Sequence, residues 1–306
     1  MIGLVIKCYG RFYTVQYKEK KIDCVLRGNL KKNEIWKKFS EPLVTGDLVD
    51  FELSEGEQGV ILEILERKNI FSRKDKISSK EDPIAANLDQ IIIIQSFKSP
   101  RLNLRFVDRL LVKALKANIP AIVCINKSDL ATLEQMNYVK SYYAKAKEDL
   151  IIISLLQKKG LEELGLQLKD KTSLLVGFSG VGKTSLLNHF SPGLDLRVSE
   201  VSKSTNKGKH TTTNVQLLKI DEHSKIIDSP GVREFGIVDI EPANLKYYFR
   251  EFNFYNDQCN FHSCTHDHEP KCEVKNQVAE GNIFEDRYVS YLHILHSLQK
   301  HYKNLY

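Results

Sequence analysis

The sequence predicts three successive units: a small all-β barrel, an α/β domain with a doubly wound parallel sheet, and a mainly helical C-terminal segment built around a cysteine–histidine cluster. Three observations carry this. Short strand-like runs with tight turns fill the first 65 or so residues, strands and helices alternate from Leu88 to Ile227, and the strand signal then stops ahead of a loop rich in Cys and His. The corresponding boundaries are 1–69, 70–235 and 236–306.

In the first unit, Ile2–Tyr9, Phe12–Tyr17 and Ile22–Leu26 precede a basic loop containing Trp36, and Asp47–Leu53 and Gly59–Leu65 follow it. Five strands in this length fit an OB-fold; an SH3-like barrel would give a similar pattern. OB-folds often bind oligonucleotides, which makes this unit a candidate RNA binder. Lysine and arginine clusters at Lys18–Lys21, Lys31-Lys32, Lys37-Lys38 and Arg73–Lys76 could touch RNA, although on charge alone solvated surface is the better explanation.

In the second unit, Leu88–Gln95 contains Ile91–Ile94, apolar on both faces as a buried parallel strand requires. Asn103–Ala117 places Phe106, Leu110, Leu111, Ala114 and Leu115 at helical spacing. Pro120–Ile125, Leu150–Ile153, Leu174–Val176, Val215–Ile220 and Lys225–Ile227 read as strands; Leu130–Ala146, Leu161–Leu168 and Lys183–Phe190 read as helices. In the third unit, Glu241–Phe254 and Phe284–Tyr302 read as helices.

At 306 residues the chain has room for these cores. The aliphatic run Ile91–Ile94 is far shorter than the about 20 residues a membrane helix needs, and the N-terminus lacks the apolar stretch of a signal peptide. The expected compartment is the cytoplasm, with no membrane partner. Six cysteines there read as free thiols or metal ligands, and a net charge of +6 is a modest bias toward polyanions.

The strongest motif is Gly177, Phe178, Ser179, Gly180, Val181, Gly182, Lys183 and Thr184, which reads G-x-x-x-x-G-K-T between a strand and a helix. Backbone N–H groups of such a loop converge on a β-phosphate, Lys183 reaches the β- and γ-phosphates, and the Thr184 hydroxyl holds Mg²⁺; Ser185 follows in the same turn. Asn126, Lys127, Ser128 and Asp129 form N-K-x-D at the C-terminal end of a strand, where open α/β sheets bind ligands. The Asp129 carboxylate matches the paired N–H donors of guanine, which adenine lacks, so GTP and GDP are the expected nucleotides. Lys127 is placed to lie over the base and Asn126 to tie its loop to the phosphate loop. Ser154, after the strand Ile151–Ile153, sits where a further, weaker guanine motif belongs, with Leu155 in place of Ala.

Asp228-Ser-Pro-Gly231 is D-x-x-G at the end of a strand: Asp228 is placed to hold a Mg²⁺ water and the Gly231 N–H to meet the γ-phosphate. Upstream, Arg197–Thr213 is polar and aperiodic and ends in His210-Thr-Thr-Thr213; Thr212 is the favoured second Mg²⁺ ligand. The residue after Gly231 is Val232, which cannot orient a water, and His210 is the nearest replacement. N-K-x-D precedes the phosphate loop, the reverse of the usual order. The pieces assemble one site only in a circularly permuted domain, whose second switch then runs directly into the C-terminal unit. There, Cys259, Cys264, His266 and Cys272 offer a closed Cys₃His set suited to one structural Zn²⁺, with His262 and His268 as alternative ligands. Cys8, Cys24 and Cys124 fall in strands and read as small buried hydrophobes.

This combination resembles the circularly permuted GTPases of bacterial small-ribosomal-subunit biogenesis, the RsgA or YjeQ family. The resemblance spans nearly the whole chain and rests on the barrel, Asn126–Asp129 ahead of Gly177–Thr184, Gly208–Thr213, Asp228–Gly231 and the Cys259–Cys272 set. It implies an OB-fold, a permuted GTPase domain and a zinc-binding helical domain. It further implies a monomer that hydrolyses GTP, is stimulated by the 30S subunit, contacts 16S rRNA and acts late in subunit maturation. The family commonly has Arg where Lys209 stands and Ser where Thr184 stands; charge and hydroxyl are kept.

Overall fold

The computed structural model describes residues 1–28, 38–54, 58–74, 80–191, 215–229, 236–237 and 239–303. Strands β1 (Ile2–Tyr9), β2 (Phe12–Tyr17), β3 (Lys20–Leu26), β4 (Leu48–Leu53) and β5 (Gly59–Ile64) form the first unit. Their order is β1-β2-β3-β5-β4, and β4 pairs back onto β1, so the ring closes. β3 and β5 run parallel, with Cys24 opposite Gly59, and the other pairs are antiparallel. That is a closed Greek-key barrel of the OB type. Alternation fills it: Val5, Tyr13, Val15, Cys24, Val49, Phe51 and Ile61 point inward and are buried.

A hairpin of β6 (Ile70–Lys74) and β7 (Glu81–Ala86) connects the barrel to the α/β domain. Sequence reasoning did not predict it, because Pro83 argues against a strand. The two-stranded ribbon tolerates Pro83 where the register shifts, between Phe71 and Ser72.

The α/β sheet has the order β10-β9-β8-β11-β13-β12. Its strands are β8 (Gln90–Ser96), β9 (Ala121–Asn126), β10 (Asp149–Ile152), β11 (Thr172–Val176), β12 (Gln216–Lys219) and β13 (Lys225–Asp228). All neighbours are parallel except β12 and β13. The doubly wound expectation therefore holds. Helices α1 (Leu104–Lys116), α2 (Leu133–Ala146), α3 (Leu161–Leu168) and α4 (Lys183–Phe190) cover the faces. Asn103 caps α1 by accepting from Phe106 N at 3.1 Å. α2 starts later than Leu130, because Thr132 and Gln135 form a capping box there and Ser128–Leu130 is one turn of 3₁₀ helix. β1 also pairs with β12, with Lys7 opposite Gln216, so one sheet of 11 strands runs through barrel and α/β domain.

In the C-terminal unit the single helix expected over Glu241–Phe254 is instead two 3₁₀ helices, Pro242–Tyr248 and Arg250–Phe254, with Phe249 extended between them. The break turns both Phe249 and Phe252 onto Tyr291, at 5.1 and 4.9 Å between ring centroids. Two α-helices follow, α5 (Glu273–Ala279) and α6 (Glu285–Lys303); α5 was not foreseen. Among the described residues no helix is long and apolar enough to cross a membrane.

Candidate functional site

The phosphate loop joins β11 to α4 at the C-terminal edge of the parallel strands. Its two outer glycines are sterically required. A Cβ at Gly177 would lie 2.2 Å from Ile94 O, and at Gly182, where φ is +106°, one would lie 2.4 Å from Asn126 Nδ2. The Lys183 ammonium is buried and donates to Gly177 O at 2.8 Å and Phe178 O at 2.9 Å. Burial lowers its pKa, opposed by the nearby Asp228 carboxylate. Asp228 ends β13 beside it; burial raises its pKa against the pull of Lys183, and its buried Oδ1 has no hydrogen-bond partner. An orphaned carboxylate oxygen beside a buried ammonium suits a nucleotide with its Mg²⁺.

The base side is assembled at the same edge. Asn126 Nδ2 donates to Val181 O at 2.9 Å, and Asn126 Oδ1 accepts from Lys127 N at 2.7 Å and Leu155 N at 3.3 Å. One side chain thus ties three loops together, the phosphate loop among them. Lys127 adopts φ 61° and donates from Nζ to Gly180 O at 2.8 Å and to Ser99 O. Ser128 N donates to Ile153 O at 3.1 Å. Ser154 is buried, donates to Asp129 Oδ1, and accepts from Gln157 N at 3.1 Å. Ser154, the loose match to a further guanine motif, thus stands beside Asp129. Ser179 and Gly180 are exposed at the loop tip, and Thr184 and Ser185 are half-buried at the start of α4. His210, Thr212 and Gly231 lie outside the described residues.

Two contacts of this site left no trace in the sequence. Phe178 stacks on Phe106 of α1 at 4.1 Å, with the rings 29° apart. The loop after β8 supplies Ser99 O to Lys127. Both join residues far apart in the chain by tertiary packing alone.

The candidate metal centre brings together Cys259, Cys264, His266 and Cys272, with all ligating atoms within 4.8 Å of one another. His266 Nδ1 lies 3.3 Å from Cys272 Sγ and 3.6 Å from Cys259 Sγ, and the two sulfurs are 4.0 Å apart. Donors of a tetrahedral zinc site stand about 3.3–3.8 Å apart, so these atoms, within 4.8 Å of one another, need draw in only a little to hold a single ion. His266 Nε2 faces Asn256 Oδ1 at 2.8 Å, which fixes the tautomer and turns the Nδ1 lone pair toward the thiols. Burial pushes the Cys272 thiol up to about 12, a state that a dication would reverse. His262 and His268 are exposed and stand outside the cluster. Glu269 accepts from Thr265 N at 2.6 Å and from Asp267 N at 3.0 Å, and so shapes the loop around His266.

Two family models match the chain: the RsgA N-terminal domain over residues 2–61 and the RsgA GTPase over residues 64–238. The small ribosomal subunit biogenesis GTPase RsgA of Flavobacterium johnsoniae is 37% identical over 311 residues, covering 99% of this chain and 95% of that protein. The protein of the same name from Thermotoga neapolitana is 38% identical, covering 97% and 96%. Among solved structures, YjeQ from Thermotoga maritima has a TM-score of 0.76 at 34% identity, covering 97% of this chain and 98% of that one. YloQ, described as a circularly permuted GTPase, has a TM-score of 0.72 at 28% identity, covering 98% and 95%. With a family model over residues 64–238 and relatives matched over nearly its whole length, the chain belongs to the RsgA GTPase family.

Proposed function

We propose that this protein binds GTP between Asn126–Asp129 and Gly177–Thr184 and hydrolyses it to GDP and phosphate when docked on the small ribosomal subunit, late in that subunit's maturation. The observation that carries the proposal is the Asn126–Val181 hydrogen bond, which locks a guanine-type base loop to a phosphate loop. Asp129 reads the base with Ser154 holding one of its oxygens, Lys127 covers the base, and the loop N–H groups with Lys183 grip the phosphates. Mg²⁺, held by Thr184 and Thr212, would neutralise charge on the β- and γ-phosphates. Asp228 would accept from a water bound to that ion, the Gly231 N–H would meet the γ-phosphate, and His210 would orient the attacking water in place of a glutamine. Cys259, Cys264, His266 and Cys272 hold one structural Zn²⁺.

The partner reading rests on the relatives, which are named for small-subunit biogenesis. The 30S particle and its 16S rRNA are the proposed partners, with the barrel as an RNA-facing unit; Lys18, Lys20 and Lys21 are exposed around its β2–β3 turn. The protein acts as a cytoplasmic monomer of three units divided near residues 69 and 235.

Phosphate release at saturating GTP, with and without purified 30S subunits, tests this reading. Stimulation by 30S is the expected result, and His210→Ala should lower the stimulated rate about 10²-fold or more while sparing GTP affinity. Turnover indifferent to 30S, or ATP competing equally with GTP, would overturn it.

A further inference from the structure

We propose that Phe106 is a positioning residue for the phosphate loop, and that its helix α1 ties the placement of that loop to the docking of the C-terminal unit. The inference rests on the reading that Gly177–Thr184 holds the nucleotide.

At its N-terminal end, α1 meets the loop. Phe106 is buried and its ring stacks on Phe178. Phe178 is also the residue whose carbonyl accepts a hydrogen bond from Lys183. The ammonium has three protons, and two are engaged with loop carbonyls. Phosphate oxygens must draw on that same donor, so the Phe178 peptide feels the nucleotide directly. Its side chain delivers the change to Phe106.

From two residues further on, α1 also belongs to the C-terminal unit. Asp108 is fully buried; its Oδ1 accepts from Arg287 of α6 at 2.5 Å and its Oδ2 from Tyr142 at 2.8 Å. Val112 lies in the C-terminal apolar core, and Lys113 pairs with Asp239 at 3.0 Å. Phe106, Val107, Leu110, Leu111 and Ala114 meanwhile belong to the core of the α/β domain. A rigid helix packed on both sides cannot shift at one end without registering at the other. This route runs through α1, in addition to the chain segment that follows Asp228. Linkage makes it reciprocal: whatever binds or strains the C-terminal unit alters nucleotide affinity by the same factor.

The test uses full-length wild type, Phe106→Leu, Phe178→Leu and the double variant, each checked for one metal ion per chain and a cooperative melt. Affinity for a fluorescent methylanthraniloyl-GDP, KM and kcat for GTP, and hydrogen exchange of α6 with and without GDP are measured. In wild type, GDP should slow exchange in α6. Phe106→Leu should raise KM by about five-fold or more with kcat within about two-fold, since ground and transition states lose the same loop placement, and Phe178→Leu, within the loop itself, should raise KM at least as much. The double variant should cost little more than Phe178→Leu alone, and the response of α6 to GDP should vanish. If Phe106→Leu fails the melt or metal check, the half-buried Phe178→Leu carries the same readouts. Unchanged KM, effects that simply add, or an α6 indifferent to GDP in wild type would overturn the inference. A wild type that does not bind the GDP probe would instead overturn the nucleotide-site reading on which it rests.

Discussion

In the proposed site, base recognition needs a carboxylate that cannot swing, and Ser154 restrains Asp129 by donating to its Oδ1. A hydrogen bond to a charged group is worth about 1.5–3 kcal/mol. Ser154→Ala is therefore expected to weaken GDP binding about ten-fold or more, and Asp129→Asn to shift preference toward xanthine nucleotides; competition binding measures both. Unaltered GDP affinity in Ser154→Ala would remove that role. At the metal centre, Asn256 holds the His266 tautomer. Asn256→Leu should lower zinc affinity about 10–100-fold in chelator competition, while Cys272→Ser should abolish stoichiometric zinc in elemental analysis. Residues of this kind divide sharply in how visible they are. Gly177–Thr184, Asn126–Asp129 and the cysteine set lie in short contiguous stretches whose spacing is itself the chemistry. Asn256 and Phe106 are ordinary residues whose importance comes only from what folding puts beside them.

Among the elements, α1 does most to join the molecule, and its charged face explains how. Arg287 is buried against Asp108 at 2.5 Å, Glu251 at 2.7 Å and Glu148 at 3.6 Å, with its guanidinium 4.5 Å from the centre of the Phe249 ring. Three carboxylates around one guanidinium leave surplus negative charge in a dry interface. Burial pushes Glu148 up to about 7, against the opposing pull of Arg287 and Arg250. A carboxyl whose pKa rises on folding takes up a proton as the chain folds. Its contribution is therefore most favourable below its ordinary value of 4.5 and is lost as pH rises through about 7. Urea unfolding should show wild-type stability falling across that window by up to a few kcal/mol relative to Glu148→Gln, and parallel pH profiles would contradict the assignment. The spacing of Phe106, Leu110, Leu111, Ala114 and Leu115 located α1 in the sequence, because helical spacing is a local property. The pairing of Arg287 with carboxylates from three other segments was not legible, and neither was the extended Phe249 that splits the expected helix. Both are decided by partners more than 30 residues away.

At the scale of the whole molecule, the permuted order was readable because N-K-x-D precedes the phosphate loop in a chain whose strands alternate regularly with helices. The continuity of barrel and α/β domain was not, since a strand's pattern records which face it buries and not which neighbour it meets. The pairing of β1 with β12 has a consequence for the chain's solubility. β12 is the last strand of the open sheet, and the barrel occupies the hydrogen-bonding flank it would otherwise offer to solvent. Thr45 Oγ1 fastens the same flank by donating to Val215 O at 3.0 Å. The first unit thus acts as a built-in cover over a template for strand addition. A fragment beginning at residue 64 should expose Gln216–Lys219 and self-associate in sedimentation velocity where the intact chain does not. Glu or Pro placed at Leu217 or Leu218 would confound that measurement, because both side chains are buried; Gln216→Pro, which blocks the edge from a half-buried position, should restore the monomer. If the fragment stays monomeric without that change, the edge is guarded by something other than the barrel.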